Sequence, residues 1–267
     1  MVKAANLYAR IEPELKNEAE TTTISFRQIW NILLVTTIVF LCGCGTTGKF
    51  VYPARMTTLF RVGSDMTPEK TVAVLPFDDY RSDDNSSWYL MYLIPLMPFG
   101  WVDYERPDAA SMFPSILTYD MTPAEDLGKA TSVSLRQSRM FKDAFFTMGG
   151  EKDKADFVWH GQIKEMRYRG KMITYGLSVY GPLLWVVGFP ASTSENVLSI
   201  EFQLKDKNGK IVWEYSAERS DWIVQWLYYR MGHDCKAFAA MYQNVMNDAL
   251  SNLANDMHKN PEKFGVK

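Results

Sequence analysis

An uncharged apolar run from Ile32 to Leu41 closes on Leu41-Cys42-Gly43-Cys44, and this short stretch divides the chain unequally. At about half the roughly 20 residues that a membrane-spanning helix needs, the run is too short to be a comfortable span. Everything capable of building a core lies after it. The whole chain is 47% apolar and 14% aromatic, so Cys44–Lys267 has material for one domain of ordinary size.

The order of parts before the cut matters. A basic residue, Arg27, precedes the apolar run, and the run ends in a small residue followed by a Cys. Leu41, Cys42, Gly43 and Cys44 resemble the lipobox of bacterial lipoprotein signals. The resemblance implies cleavage after Gly43 and a thioether-linked diacylglycerol on the Cys44 thiol, making the membrane the first expected partner. Two acyl chains anchor stably where one is marginal, at about 0.8 kcal/mol per buried CH₂. Gly45 rather than Asp after the acylated Cys implies the outer membrane, with the domain facing the periplasm. The segment upstream is long and carries Glu12, Glu14, Glu18 and Glu20 among its bases. Two alternatives to a simple signal peptide follow: a translation start downstream of Met1, or a retained helix with a cytoplasmic tail.

Residues 1–43 are thus expected as signal, 44–57 as lipidated tether, 58–258 as a single α/β domain and 259–267 as a tail. The net charge of −2 lacks the basic footprint of a nucleic-acid-binding domain. Cys235 is the one thiol left outside the signal region, and it is expected in the core.

Along the chain, Thr58–Val62 alternates weakly as a first strand. Thr71-Val72-Ala73-Val74-Leu75, stopped by Pro76, reads as a strand buried on both faces. The following loop, from Asp78 to Asn85, holds Asp78, Asp79, Asp83 and Asp84. It has the oxygens of a Ca²⁺ site but not the spacing of an EF-hand, and it is expected as a polar loop.

Thr122-Pro123-Ala124-Glu125 combines a capping box with Pro at the first helical position. It predicts a helix that buries Leu127, Thr131, Leu135 and Ser138. Phe141–Phe146 and Ala155–Ile163 are predicted strands, the second with Phe157, Trp159, Gly161 and Ile163 on one face and His160 on the other. Leu198–Leu204 and Ile211–Tyr215 flank Asn208-Gly209 as a hairpin. Asp221–Met231 is expected as an amphipathic helix with Trp222, Trp226 and Tyr229 on one face. The last helix, Cys235–His258, presents Phe238, Met241 or Tyr242, Val245, Ala249 and Leu253 to the core.

Two apolar segments interrupt this pattern. Trp88–Val102 is uncharged and broken by Pro95, Pro98 and Gly100. Met172–Ser194 runs for 23 positions without a charge and is broken by Gly176, Gly181, Pro182, Gly188 and Pro190. These breaks leave a helix with unpaired backbone groups, which hydrocarbon does not tolerate. The two are expected to pack against each other, the alternative being a hairpin of a closed oligomeric barrel.

The fold class that follows is α+β: one mixed, mainly antiparallel sheet with two main helices on it and two apolar insertions. The candidate interaction surface is Trp88, Tyr89, Trp101, Trp185, Phe189, Trp222 and Trp226. The Val-Leu-Pro-Phe strand end, the Ser-Arg-Met-Phe helix end and the Ala-Asp-Phe-Val-Trp-His-Gly strand resemble a group of envelope lipoproteins. That group shares the fold of the TolB N-terminal domain, the curli secretion lipoprotein and the penicillin-binding-protein activator lipoproteins. The resemblance implies a scaffold or assembly role with an envelope protein as partner. It brings no catalytic residues and no cofactor.

Enzymatic motifs are weak by comparison. There is no Gly-x-Ser-x-Gly elbow, Walker loop, His-Glu-x-x-His or Cys-x-x-Cys. His233 and Cys235, two apart on a helix, point to different faces.

Overall fold

The structure, a computed structural model, describes residues 28, 31, 46–56, 60–61, 69–109 and 117–265. It divides into two units, Met1–Gly45 and Thr46–Lys267. In the first, only Gln28 and Asn31 are described, both helical. The expected signal, its cleavage residues Leu41, Cys42 and Gly43, and the lipidation residue Cys44 therefore lie outside the described residues. So does most of the expected strand Thr58–Val62; its described residues, Phe60 and Arg61, are in no regular element.

The second unit begins with β1 (Thr46–Lys49), followed by β2 (Thr71–Val74), β3 (Asp78–Asp79), β4 (Asn85–Trp88), β5 (Phe99–Tyr104) and β6 (Leu117–Asp120). Helix α1 (Pro123–Ser138) leads to β7 (Asp143–Phe146) and the long strand β8 (Phe157–Ile173). A short helix α2 (Pro182–Val186) precedes β9 (Pro190–Asp206) and β10 (Ile211–Trp226), and the chain finishes with α3 (Asp234–Lys259) and α4 (Pro261–Phe264).

Strand β8 organises the sheet. One edge pairs antiparallel with β9, from Phe157↔Asp206 to Met172↔Ser192. The other edge is shared by three shorter partners. β2 and β3 run parallel to its first half, and β5 runs antiparallel to its second, from Phe99↔Ile173 to Tyr104↔Tyr168. β7 flanks β2 in parallel, β4 flanks β5, and β10 flanks β9 through the turn at Gly209, whose φ of 78° suits its glycine. Among the described residues the sheet is mixed, open and eight-stranded, and the fold is α+β.

The alternation read from Ala155–Ile163 holds. Phe157, Trp159, Gly161 and Ile163 are buried and His160 is half-buried on the opposite face. Gly161 leaves room for the Phe77 ring: a Cβ there would lie 2.4 Å from it. Trp159 packs on Phe202 and Trp213 at centroid distances of 5.4 and 5.2 Å, pairs that add about 0.5–1.5 kcal/mol each beyond their burial. The helical layer closes this face. Leu127, Thr131, Leu135 and Ser138 of α1 are buried, as are Phe238, Met241, Tyr242, Val245, Ala249 and Leu253 of α3.

The start of α1 is where expected, but the cap differs. The Thr122 side chain makes no cap bond; its backbone N–H is instead taken by the Asp126 carboxylate at 2.8 Å, while Glu125 pairs with Lys129.

Three expectations are corrected. Asp221–Met231 is not a helix: β10 continues to Trp226, because β9 upward of Asn196 offers an unpaired edge and Trp-Ile-Val-Gln-Trp suits a strand. Residues 44–57 are not wholly a tether, since β1 pairs with β6 and Tyr52 packs on Tyr242 at 5.7 Å. The end of the chain is not a free tail either. Phe264 is fully buried and stands 6.5 Å from Phe157.

Candidate functional site

The two apolar segments meet at one end of the sheet, where β5 begins, β8 ends and β9 begins. Their union is made by backbone groups that the prolines and glycines left without helical partners. The Leu96 N–H donates to the Gly176 carbonyl at 3.0 Å, and the Thr174 N–H to the Pro98 carbonyl at 2.8 Å. The Ser178 hydroxyl donates to the Leu93 carbonyl at 2.7 Å. Within the second segment, the Trp185 indole N–H reaches the Ile173 carbonyl at 2.8 Å, and the Tyr175 hydroxyl the Pro190 carbonyl at 2.7 Å. The mutual packing expected of the insertions is what the structure has.

Within Met172–Ser194 the strands stop at Ile173 and resume at Pro190. Between them lie a 3-10 turn (Ser178–Tyr180) and α2. The segment after β10 joins the same end through the Tyr228 hydroxyl, which donates to the Val186 carbonyl at 3.3 Å.

Two classes separate among the seven candidate side chains. Tyr89, Trp101, Trp185 and Trp226 are half-buried and act as mortar. Tyr89 donates to the Met172 sulfur at 3.4 Å, and burial, with Tyr92 beside it, pushes its hydroxyl above the ordinary tyrosine range. Trp88, Phe189 and Trp222 face outward, Trp88 stacked on Trp101 at 6.3 Å. The Trp222 ring is 66% exposed on β10, opposite Glu195.

The sequence reading picked out aromatics and missed the aliphatic residues around them: Leu90, Leu93, Ile94, Leu96, Val179, Leu183 and Val187 are all exposed. Leu96 is 88% exposed and holds φ at 70°, a left-handed conformation costing about 1 kcal/mol or more for a residue with a Cβ. Tyr175 and Ser178 are left-handed too. Together these residues form an exposed apolar patch on a strained, cross-braced frame.

The carboxylate loop has another role. Arg81, buried, donates to Asp79 through Nη2 at 2.8 Å and to Asp108 through Nη1 at 2.5 Å. Arg106 pairs with Asp79 at 3.2 Å and Asp83 at 2.5 Å. The Arg81 hydrogen bond holds the Asp79 carboxyl below its usual range, and burial opposes it. The guanidinium is itself held above its usual range by the two carboxylates, against the cost of its burial. This network pins the β3–β4 loop to the segment after β5. Among the described residues, no three His, Cys, Asp or Glu side chains gather as metal ligands, and no helix is long and apolar enough to cross a membrane. His233 is exposed, and the side chain of Cys235, expected in the core, lies outside the described residues; between them the buried Asp234 carboxylate accepts from the Tyr168 hydroxyl at 2.7 Å.

No protein-family model and no curated protein sequence matches the chain. Solved structures similar to it include the PelC dodecamer from Paraburkholderia phytofirmans, at 17% identity and a TM-score of 0.36, over 71% of this chain and 93% of that one. Protein XCC0632 from Xanthomonas campestris, of the DUF330 family, is similar at 8% identity and a TM-score of 0.43, over 81% and 99%. Lipoprotein GNA1162 from Neisseria meningitidis is similar at 13% identity and a TM-score of 0.24, over 70% and 99%.

Proposed function

We propose that this chain is a lipid-anchored component of the bacterial envelope that works by contact, in a binding or assembly role without catalysis. Its anchor is Cys44, by the lipobox resemblance of Leu41–Cys44. Its working surface is the apolar tip. The observation that carries this reading is the tip itself: two uncharged segments, far apart in sequence, are braced together and leave their large apolar side chains outside. A monomeric soluble protein rarely exposes such a patch without a use for it. The location that fits Gly45 is the periplasmic face of the outer membrane.

Site-specific photocrosslinking in cells tests the reading. A photoreactive residue in place of Leu96 or Tyr228 is expected to give adducts, and one in place of exposed Glu214 on β10 is not. Equal labelling at the two places, or none at the tip, contradicts it.

A further inference from the structure

We propose that the occupant of this tip is the surface of the bilayer that receives the acyl chains of Cys44. The proposal rests on the lipoprotein reading above and names the partner of the same surface. Its geometry comes from the route of the chain after β1. Tyr52 packs on Tyr242, the Arg55 N–H donates to Gln243, and the Phe60 N–H donates to Asn247. The N-terminal segment therefore travels along α3 from its earlier residues toward its later ones. Helix α3 begins where Asp234 meets Tyr168, five residues before β8 ends at the tip, and its later part lies beside Trp213, through Asn252, at the far end of the sheet. Thr46, upstream of Tyr52, accordingly lies at the tip-ward end of the helical layer. Cys44 precedes Thr46 by two positions in the sequence.

The acyl chains expected on Cys44 hold the molecule at a bilayer surface, which an apolar tip can meet. The tip has the chemistry for it. Residues 87–102, 172–194 and 222–229 carry no charge, and the exposed side chains include Trp88, Trp222, Tyr180 and Tyr228. Trp and Tyr are the residues that settle at the membrane–water boundary, one part of the ring in the acyl region and the polar atom in the headgroups. The tip's backbone groups bond to one another across the two segments, so partial burial in headgroups strands few of them. Charges return immediately below, at Arg169, Lys171, Glu195 and Arg230, which limits the depth to the headgroup and upper acyl layer.

The test uses the full chain purified from membranes and placed in phosphatidylcholine–phosphatidylglycerol vesicles whose acyl chains carry bromine. Tryptophan emission is expected to be quenched, and the paired Trp88→Phe and Trp222→Phe variant to lose the larger part of that quenching. Protein that floats with the vesicles but shows no quenching overturns the proposal. So does a crosslinked pair of chains with both tips unquenched, which assigns the tip to a second copy. A chain without acyl mass that stays off the vesicles overturns the lipoprotein reading, and the proposal falls with it.

Discussion

The Ser178 hydroxyl donates to the carbonyl of Leu93 at 2.7 Å, across 85 positions of sequence. One side-chain bond thus helps turn two separate uncharged segments into one surface. Its neighbours, Leu96 to Gly176 and Thr174 to Pro98, do the same with backbone groups alone.

Gly100 fixes how closely the first segment folds back on β5. A Cβ at that position would lie 2.0 Å from the Tyr89 carbonyl oxygen, which is backbone and cannot swing away. Gly100→Ala is expected to cost about 1–3 kcal/mol, as overpacking does. Limited proteolysis checks the mechanism: cleavage within residues 89–98 should quicken while the helical layer stays resistant.

Arg81 binds two carboxylates with its side chain only 1% exposed, and Asp79 and Asp108 are themselves 23% and 15% exposed. Arg81→Ala takes the guanidinium from Asp108 and leaves Asp79 with Arg106. Full burial would make the loss about 3–5 kcal/mol; their partial exposure brings the expected loss to about 2–3 kcal/mol in a denaturant titration.

The same network sets a pH dependence. Arg81, through its hydrogen bond, lowers the folded-state value of Asp79. Its contribution is therefore complete above the unfolded carboxylate value of about 4 and fades as pH falls through the lower, folded value. Wild-type stability should drop with acid below that point, and Asp79→Asn should show a shallower drop.

Phe264 is fully buried against Phe157 although it lies past the last long helix. Phe264→Ala should cost about 3–5 kcal/mol, the usual range for a buried aromatic. A stability unchanged on removing residues 260–267 would show that the end of the chain packs nowhere.

Asn196 is fully buried on the core face of β9, and neither its side-chain oxygen nor its nitrogen has a hydrogen-bond partner among the described residues. Asn196→Leu removes two unpaired polar atoms while keeping the same branched shape. The midpoint of unfolding should rise, by about 1–2 kcal/mol in stability.

Much of the fold was legible because period and burial agree. Phe157, Trp159, Gly161 and Ile163 alternate where they are buried, and Phe238, Val245 and Leu253 recur at helical spacing where α3 meets the sheet. Trp222 and Trp226 misled, since a four-residue spacing fits one helical face as readily as it fits two outward positions of a strand. Only the free edge of β9 decides between them, and that edge is a tertiary fact. The Arg81–Asp79–Asp108 cluster was hidden for a related reason. Asp108 is 27 residues away in sequence, so the loop read as acidic when its charge is met by arginines. At the tip, the joining of the two insertions followed from their shared lack of charge. Which aromatics face outward did not, because Trp88 and Trp101 differ only in their place on a hairpin.

The central claim is an acylated chain held to the envelope at Cys44 with its apolar tip as working surface. Intact mass and fatty-acid labelling of the protein from its bacterial host, beside Cys44→Ser, test it most directly. The expected result is a labelled protein beginning at Cys44, with mass and label lost in the variant. An unlabelled chain still carrying residues 1–43 would contradict it.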